Sequence, residues 1–244
     1  MAVGGGDPAA DGGAESWVAY SAFHARGPEP GEPAPAPDEL AAEVESRLGQ
    51  VTLRGVYDLT GFRAEADLLL WLIASDPVEL QEALAGFERS RLGAMLDLWW
   101  TAIGVHRPAE FNAGHLPAFV EGREPLGFVC VYPYVRTHDW YLLPAAERAE
   151  LLSEHGKMGR EFPAVQANTV SAFGLGDYEW LLAFESDRLG TITDLMRNLR
   201  AAGARRFTRH ELPFLTGRRR SPAEIAALVS SAGRTDRPVR LPVP

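Results

Sequence analysis

A short stretch in the second half of the chain concentrates side chains that could carry redox chemistry. It contains Tyr132, Arg136, Trp140 and His155. Tyrosine and tryptophan can carry oxidising equivalents, arginine binds carboxylates through parallel N–H bonds, and histidine ligates haem iron. Residues of these types within one strand–helix unit indicate chemistry on a bound haem-like cofactor.

Strand alternation determines which of these side chains share a face. In the strand predicted over residues 127–134, Cys130 and Tyr132 point to the same side. Arg136 also lies on this side if the extended path continues beyond Pro133. The competing interpretation of Tyr132 is a half-buried strand tyrosine whose hydroxyl is hydrogen-bonded.

His155 follows an apolar stripe on a helix predicted over residues 144–155. Ala145, Ala149 and Leu152 recur at helical spacing, and His155 continues their face. Two interpretations remain open: a histidine stabilised by the helix dipole, or a metal ligand that points into a pocket. The histidines form no HExxH pattern, which disfavours a zinc site. One histidine alone suits axial ligation of haem iron, because the porphyrin supplies the other ligands.

His115 lies in the loop that joins the two halves of the chain. Loop histidines are usually solvated, and that interpretation applies to this one. A connector can also overhang a ligand held between two domains, where a histidine could act as a base toward a small oxidant. The residues alone leave both interpretations open.

Composition excludes several classes of protein. Of the 244 residues, 46% are hydrophobic, which is enough for a substantial core. A formal net charge of −9 argues against nucleic-acid binding, which requires a basic face. The single cysteine excludes an intramolecular disulfide, and no apolar run is long enough to span a bilayer. Because the N-terminus also lacks the features of a secretory signal, we predict a cytoplasmic protein that does not bind membranes.

The elements predict the same βαββαβ order twice. The apolar run at residues 68–73 is typical of a buried strand, and Asp76 followed by Pro77 marks the start of a helix. We therefore predict an α+β fold, in which two fused ferredoxin-like units form a dimeric α/β barrel within one chain. The free faces of the two sheets are expected to close on each other and hold a ligand between them.

The predicted domain organisation follows from these elements. The last strand is predicted over residues 205–216, and the proline-rich stretch at 27–37 is expected to act as a spacer within the first unit. The full division is a disordered N-terminus at 1–14, an N-terminal unit at 15–110, a connector loop at 111–125, a C-terminal unit at 126–216 and a C-terminal extension at 217–244.

Four motifs carry a resemblance to a known family. The chain resembles the chlorite dismutase-like superfamily and, within it, the actinobacterial coproheme decarboxylases of haem biosynthesis. The motifs are Phe111-Asn112…His115, Tyr132-Pro133-x-x-Arg136-Thr-x-Asp-Trp140-Tyr-Leu-Leu-Pro144, Glu154-His155-Gly156-x-x-Gly159-Arg160 and Gly176-Asp-Tyr-Glu-Trp180.

The resemblance implies a role for each site residue. His155 is the expected proximal ligand of the iron. Tyr132 is expected to become a radical that abstracts hydrogen from a propionate, and His115 to be the distal base that deprotonates hydrogen peroxide. Arg136 is expected to pair with propionate carboxylates. The residues expected to line the pocket are Trp140, Arg160 and Asn168.

The resemblance also implies the reaction and the partners. Coproheme, which is Fe-coproporphyrin III, would serve as both substrate and redox cofactor. Hydrogen peroxide would drive oxidative decarboxylation of two propionates to vinyl groups, and haem b would be the product. A homopentamer and transient contact with a ferrochelatase are further expectations.

Asn168 separates this reaction from its alternatives. Chlorite dismutases proper place a distal arginine where this chain has Asn168, and the relatives from Firmicutes place a glutamine there. The alternatives are another haem oxidoreductase of the superfamily, either a chlorite dismutase or a peroxidase, and a non-catalytic haem-binding protein.

Overall fold

A computed structural model describes residues 15–29, 31, 35–111 and 116–232 of the chain. The predicted disordered segment at 1–14 therefore lies outside the described residues. The elements are β1 (Trp17–Ala25), α1 (Pro37–Leu48), β2 (Thr52–Asp58), β3 (Leu68–Ala74), α2 (Pro77–Glu88), a 3₁₀ turn (Gly93–Met95), β4 (Leu96–Val105), β5 (Phe128–Arg136), α3 (His138–Leu142), α4 (Ala145–Arg160), β6 (Gln166–Ser171), β7 (Trp180–Ser186), α5 (Leu189–Leu199), a 3₁₀ segment (Gly203–Phe207), β8 (Thr208–His210), β9 (Leu215–Arg220) and α6 (Pro222–Ser231).

The strands form one closed antiparallel sheet. The order β7-β6-β4-β1-β3-β2-β9-β5 returns to its start, because β5 also pairs with β7. Strands β1 to β4 with α1 and α2 make one ferredoxin-like unit, and β5, β6, β7 and β9 with α4 and α5 make the other. The pairs β2–β9 and β4–β6 join the units. The predicted fold of two fused ferredoxin-like units in a barrel is confirmed.

Side chains from both units fill the interior of the barrel. Tyr20 and Trp71 from the first unit and Val131 and Leu181 from the second are fully buried in this interior core. Alternating strand residues supply this core from one face of the sheet and leave the other face for the helices. The expected ligand site between the two sheets is therefore wrong, because the facing surfaces pack directly on each other.

Helices cover the outer face of the barrel. In the first unit, α1, α2 and α6 pack on the sheet, and α6 contributes Ile225 and Val229 to that core. In the second unit, Ile192 and Leu195 of α5 pack on β5 and β7 in an outer core. None of the described helices combines the length and apolar character needed to cross a membrane.

Several predicted boundaries differ from the structure. Helix α4 continues past Gly156 to Arg160, since Gly156 takes the helical backbone conformation rather than a left-handed cap. The last predicted strand is divided into a 3₁₀ segment, β8 and β9, because Pro213 has no N–H for a strand ladder. Strand β9 runs on to Arg220, so the proposed boundary at 216/217 falls inside it. The division into domains stays a prediction.

Helix α6 belongs to the outer core of the first unit, and its contribution to stability can be measured. The Ile225→Ala substitution should lower the free energy of unfolding by about 2–5 kcal/mol, because it leaves a cavity in that core. Chemical denaturation followed by circular dichroism would measure the change. The control is Ala227→Ser on the exposed side of the same helix, which should change stability by no more than about 0.5 kcal/mol. Equal losses for the two variants would contradict the packing of α6.

Candidate active site

Strand β5 presents different side chains to the two cores. Val129 and Val131 face the barrel interior, whereas Cys130 and Tyr132 face the outer core beneath α5. The predicted alternation is confirmed, and it places Tyr132 outside the barrel. The candidate site is therefore built on the outer face of the second unit.

The ring of Tyr132 is fixed by two phenylalanines. It stacks on Phe214, with ring centroids 4.7 Å apart, and lies 6.0 Å from the ring of Phe184. Only 5% of the tyrosine is exposed. Burial, reinforced by Cys130 and Glu211, raises the pKa of Tyr132 well above its usual value. The phenol therefore keeps its proton over the physiological range, and its oxidation would release that proton together with an electron, as a hydrogen atom.

Arg136 lies at the end of the same strand, between aromatic rings. Its guanidinium carbon is 4.0 Å from the ring centroid of Trp140 and 4.8 Å from that of Tyr134. Its Nη1 donates to the carbonyl of Ala204 at 3.0 Å. Burial lowers the pKa of Arg136, although a guanidinium stays charged at any physiological pH. A guanidinium has more N–H donors than this contact uses, so the remaining donors can bind a carboxylate.

Glu179 fixes the backbone at the end of β5. Its Oε2 accepts a hydrogen bond from the backbone N–H of Arg136 at 2.7 Å and another from the hydroxyl of Tyr141 at 2.6 Å. Helix α3 contributes Trp140, which is 5% exposed, and its ring lies 5.6 Å from that of Phe207. Glu179 and Phe207 were not predicted as site residues.

His155 approaches the same region from helix α4. Its Nδ1 is buried and has no hydrogen-bond partner among the described residues. Burial and, second, the positive charge of Arg136 lower the pKa of His155, and Glu154 opposes the shift. The imidazole is therefore neutral near neutral pH, which is the form that ligates iron. A half-buried, neutral imidazole whose Nδ1 has no partner among the described residues fits the predicted role of iron ligand.

The 3₁₀ segment Gly203–Phe207 connects α4 to Arg136. The carboxylate of Glu154 accepts a hydrogen bond from the backbone N–H of Gly203 at 2.8 Å, next to the Ala204 carbonyl that accepts from Arg136. His155 and Arg136 thus lie on elements that meet at one backbone segment. No sequence signal marked this contact, because it joins parts of the chain that are distant in sequence.

Arg160 lies on α4 beyond His155 and is exposed. Its Nη1 is 3.5 Å from the position that a Cβ on Gly156 would occupy. That separation is an ordinary van der Waals distance, so the guanidinium lies beside Gly156, the residue that follows the histidine.

Asn168 does not join this group of residues. On β6 the side chain of Ala167 faces the outer core, whereas Asn168 faces the barrel interior and is fully buried there. Its side chain contacts Glu185, the carbonyl of Ala183 and the backbone of Phe119. The family resemblance implied that Asn168 lines the pocket. Strand alternation with the buried Val170 would have indicated the opposite face.

His115 lies outside the described residues, so its role as distal base stays a prediction. The nearest described residues are Phe111 before it and Leu116 after it. The ring of Phe111 lies 5.9 Å from the guanidinium of Arg148 on α4, and Arg148 also pairs with Glu110 at 2.6 Å. These contacts hold the start of the connector against the helix that carries His155.

A cavity of about 360 Å³ opens beside the tyrosine. Cys130 and Phe214, which neighbour Tyr132, form one wall, and Arg200 contributes a positive charge. Burial raises the pKa of the Cys130 thiol to about 11, so this cysteine is not a reactive nucleophile. Arg200 pairs with Glu211, and the lining does not include Tyr132, Arg136 or His155. The cavity is therefore adjacent to the tyrosine but is not formed by these three residues.

The fold and the site define an α+β barrel of two fused ferredoxin-like units with a candidate site on its outer face. The family model for chlorite dismutase matches residues 35–220. The chain belongs to the chlorite dismutase family.

Two curated relatives are both named coproheme decarboxylase. The coproheme decarboxylase of Mycolicibacterium smegmatis is 46% identical over 218 residues, which cover 87% of this chain and 94% of that protein. The coproheme decarboxylase of Staphylococcus saprophyticus is 24% identical over 159 residues, which cover 59% of this chain and 63% of that protein.

Solved structures support the fold. A variant chlorite dismutase from Candidatus Nitrospira defluvii superposes with a TM-score of 0.78 at 23% identity, over 88% of this chain and 96% of that one. The same enzyme in complex with imidazole gives a TM-score of 0.78 at 22% identity, over 88% of this chain and 95% of that one.

The positive charge of Arg136 contributes to the lowered pKa of His155, so removing that charge should change the titration of the imidazole. In Arg136→Met the positive charge is lost, and the pKa of His155 should rise toward its ordinary value of about 6.5. An NMR titration of the imidazole ring protons would measure the shift. The control is Arg148→Met on α4, because Arg148 does not contribute to the lowered pKa of His155. An unchanged His155 pKa in the Arg136 variant would contradict the arrangement.

Proposed function

We propose that this chain is a coproheme decarboxylase, which converts two propionates of Fe-coproporphyrin III to vinyl groups and releases haem b. The observation that carries the proposal is the group formed by Tyr132, Arg136 and His155. A buried, protonated phenol shares one side of the second unit with a half-buried guanidinium and a neutral imidazole. The relative from Mycolicibacterium smegmatis, which is 46% identical over most of the chain, supports the same reaction.

The reaction balances with hydrogen peroxide as oxidant. Each propionate loses carbon dioxide, a proton and two electrons to become a vinyl group, and each peroxide takes up two electrons and two protons to give two waters. One peroxide is therefore consumed per vinyl group. The bound iron porphyrin, which is the substrate, passes the oxidising equivalents from peroxide to the protein.

Three residues of this chain would have separate roles in the reaction. His155 would ligate the iron, and Arg136 would hold a propionate carboxylate by charge-assisted hydrogen bonds. Tyr132 would lose the hydrogen of its hydroxyl and then abstract one from the propionate carbon next to the ring. The stacking of Tyr132 between Phe184 and Phe214 keeps its position fixed, and such positioning is a large part of catalysis by proximity.

The other predicted site residues would have supporting roles in the reaction. Trp140 supports the guanidinium of Arg136 from one face, and Arg160 is available to a carboxylate along α4. His115 would take the proton of peroxide from the distal side. On β6, Ala167 rather than a cationic side chain shares the outer core with Tyr132, which disfavours the chlorite dismutase alternative.

The localisation, the oligomeric state and the source of coproheme are also proposals. We propose that the protein is cytoplasmic, assembles as a homopentamer and receives coproheme by transient contact with a ferrochelatase. These expectations rest on the resemblance to the coproheme decarboxylases.

Tyr132→Phe tests the proposed radical role directly. The variant should bind coproheme normally but lose decarboxylation by more than about 100-fold, which raises the barrier by about 2.7 kcal/mol. Liquid chromatography of the porphyrins after peroxide addition would measure the products. Tyr134→Phe is the matched control, because this tyrosine lies on the same strand face and its hydroxyl is bonded to Thr208 at 2.7 Å. Equal activities in the two variants would contradict the role of Tyr132.

His155→Ala tests the proposed iron ligand. The affinity for iron coproporphyrin should fall by about tenfold or more, or about 1.4 kcal/mol, because the bond to iron is lost. Absorbance titration would give the dissociation constant. The metal-free porphyrin serves as the control ligand, and its affinity should not change. The same loss for both ligands would point to damaged folding rather than lost ligation.

A further inference from the structure

One carboxylate oxygen connects the two elements that flank the guanidinium of the candidate site. Oε2 of Glu179 accepts a hydrogen bond from the backbone N–H of Arg136 at 2.7 Å, at the end of β5. It accepts a second one from the hydroxyl of Tyr141 at 2.6 Å, on α3. Both distances are typical of hydrogen bonds to a charged acceptor. A single side chain therefore holds the end of the strand and the following helix at a fixed spacing.

Glu179 is itself held in place by its backbone. Its N–H donates to the carbonyl of Tyr134 at 3.3 Å, and its carbonyl accepts from the N–H of Ala172 at 2.8 Å. These bonds attach the residue to β5 on one side and to the residue after β6 on the other. A carboxylate on a fixed backbone can in turn fix the groups that it binds.

The same two elements carry the aromatic rings that contact the guanidinium of Arg136. The ring centroid of Trp140, on α3, lies 4.0 Å from the guanidinium carbon, and that of Tyr134, on β5, lies 4.8 Å from it. Contacts between a cation and a ring depend on this distance. Because Trp140 directly precedes Tyr141 on α3, the bonds of Glu179 help to set the spacing of both rings.

The carboxylate of Glu179 binds the backbone of Arg136 and forms no ion pair with its guanidinium. Across the part of the chain that the structure describes, no carboxylate pairs with this guanidinium, and its Nη1 donates to the carbonyl of Ala204 at 3.0 Å. A half-buried guanidinium of this kind favours a ligand that brings its own carboxylate. The acid thus supports Arg136 without occupying the donors that such a ligand needs.

We propose that Glu179 is a positioning residue, which sets the place of the Arg136 guanidinium so that it can bind a carboxylate of the porphyrin. This inference rests on the proposed function, because it takes the carboxylate ligand from that reaction. Glu179 does not need to touch the substrate. It acts through the backbone of Arg136 and, by its bond to Tyr141, through the helix that carries Trp140.

Hydrogen exchange measures the contact to the backbone without any ligand. In Glu179→Ala, the backbone amide of Arg136 loses its acceptor, and its exchange should become faster by about tenfold or more. Glu179→Gln keeps an oxygen acceptor and should restore most of the protection. Asp177→Ala is the matched control, because it removes an exposed carboxylate of the same turn that has no partner among the described residues. Unchanged exchange at Arg136 in Glu179→Ala would overturn the proposal.

The charge of the ligand separates positioning from general damage to the site. Absorbance titrations would compare iron coproporphyrin III with its tetramethyl ester, which has no free carboxylate. Glu179→Ala should weaken binding of the acid by about fivefold or more and leave binding of the ester within about twofold, because only the acid can pair with Arg136. Glu179→Gln should recover most of the affinity for the acid. Equal losses for the acid and the ester would overturn the proposal.

A double-mutant cycle tests whether the effect passes through Arg136. In an Arg136→Met background, Glu179→Ala should cause no further loss of affinity for the acid, and additive losses would overturn the proposal. If Glu179→Ala does not fold, Tyr141→Phe removes only one of the two bonds to Oε2. This variant should show a smaller loss for the acid and none for the ester, and equal affinity losses for both ligands would count against the proposal in the same way.

The inference and the proposed function can fail separately. A native protein that binds iron coproporphyrin III but does not decarboxylate it would overturn the proposed function, whereas the difference between acid and ester would still decide the role of Glu179. A native protein that does decarboxylate its substrate, beside a Glu179→Ala variant with native affinity for the acid, would overturn the inference and leave the proposed function intact.

Discussion

Strand β5 is shared by two apolar cores, and this constraint fixes the rest of the site. Val129 and Val131 are fully buried in the barrel interior, so the alternation of the strand directs Tyr132 to the outer side. A shift of one residue in register would exchange the two faces and place the phenol inside the barrel. The pairing of β5 with both β7 and β9 opposes such a shift.

The candidate site combines this rigid strand with a helix that is held by few contacts. Helix α4 has no fully buried residue, and it is tied to the 3₁₀ segment by Glu154, next to the carbonyl that holds Arg136. The strand thus positions Tyr132 and Arg136, while α4 brings His155 toward them. In the proposed reaction, the sheet and the helix would hold the porphyrin between Tyr132, the proposed hydrogen-abstracting residue, and His155, the proposed ligand of iron.

Local sequence patterns predicted those features of the site that depend on a single strand or helix. Alternation gave the face of Tyr132, and the apolar stripe gave the helix that carries His155. The resemblance placed Asn168 at the position of the family's distal arginine, but such a correspondence does not contain the register of β6, which directs this side chain into the barrel. The stacking of Phe214 on Tyr132 and the contact of Arg136 with Ala204 could not be predicted, since each depends on distant segments that only the closed barrel brings together.

The most direct test of the proposed reaction is mass spectrometry of the native protein loaded with Fe-coproporphyrin III and titrated with hydrogen peroxide. The proposal predicts two successive losses from the porphyrin, each of carbon dioxide and two hydrogens, with one peroxide consumed at each step and haem b as the end product. An unchanged porphyrin mass, or bleaching without vinyl products, would contradict it.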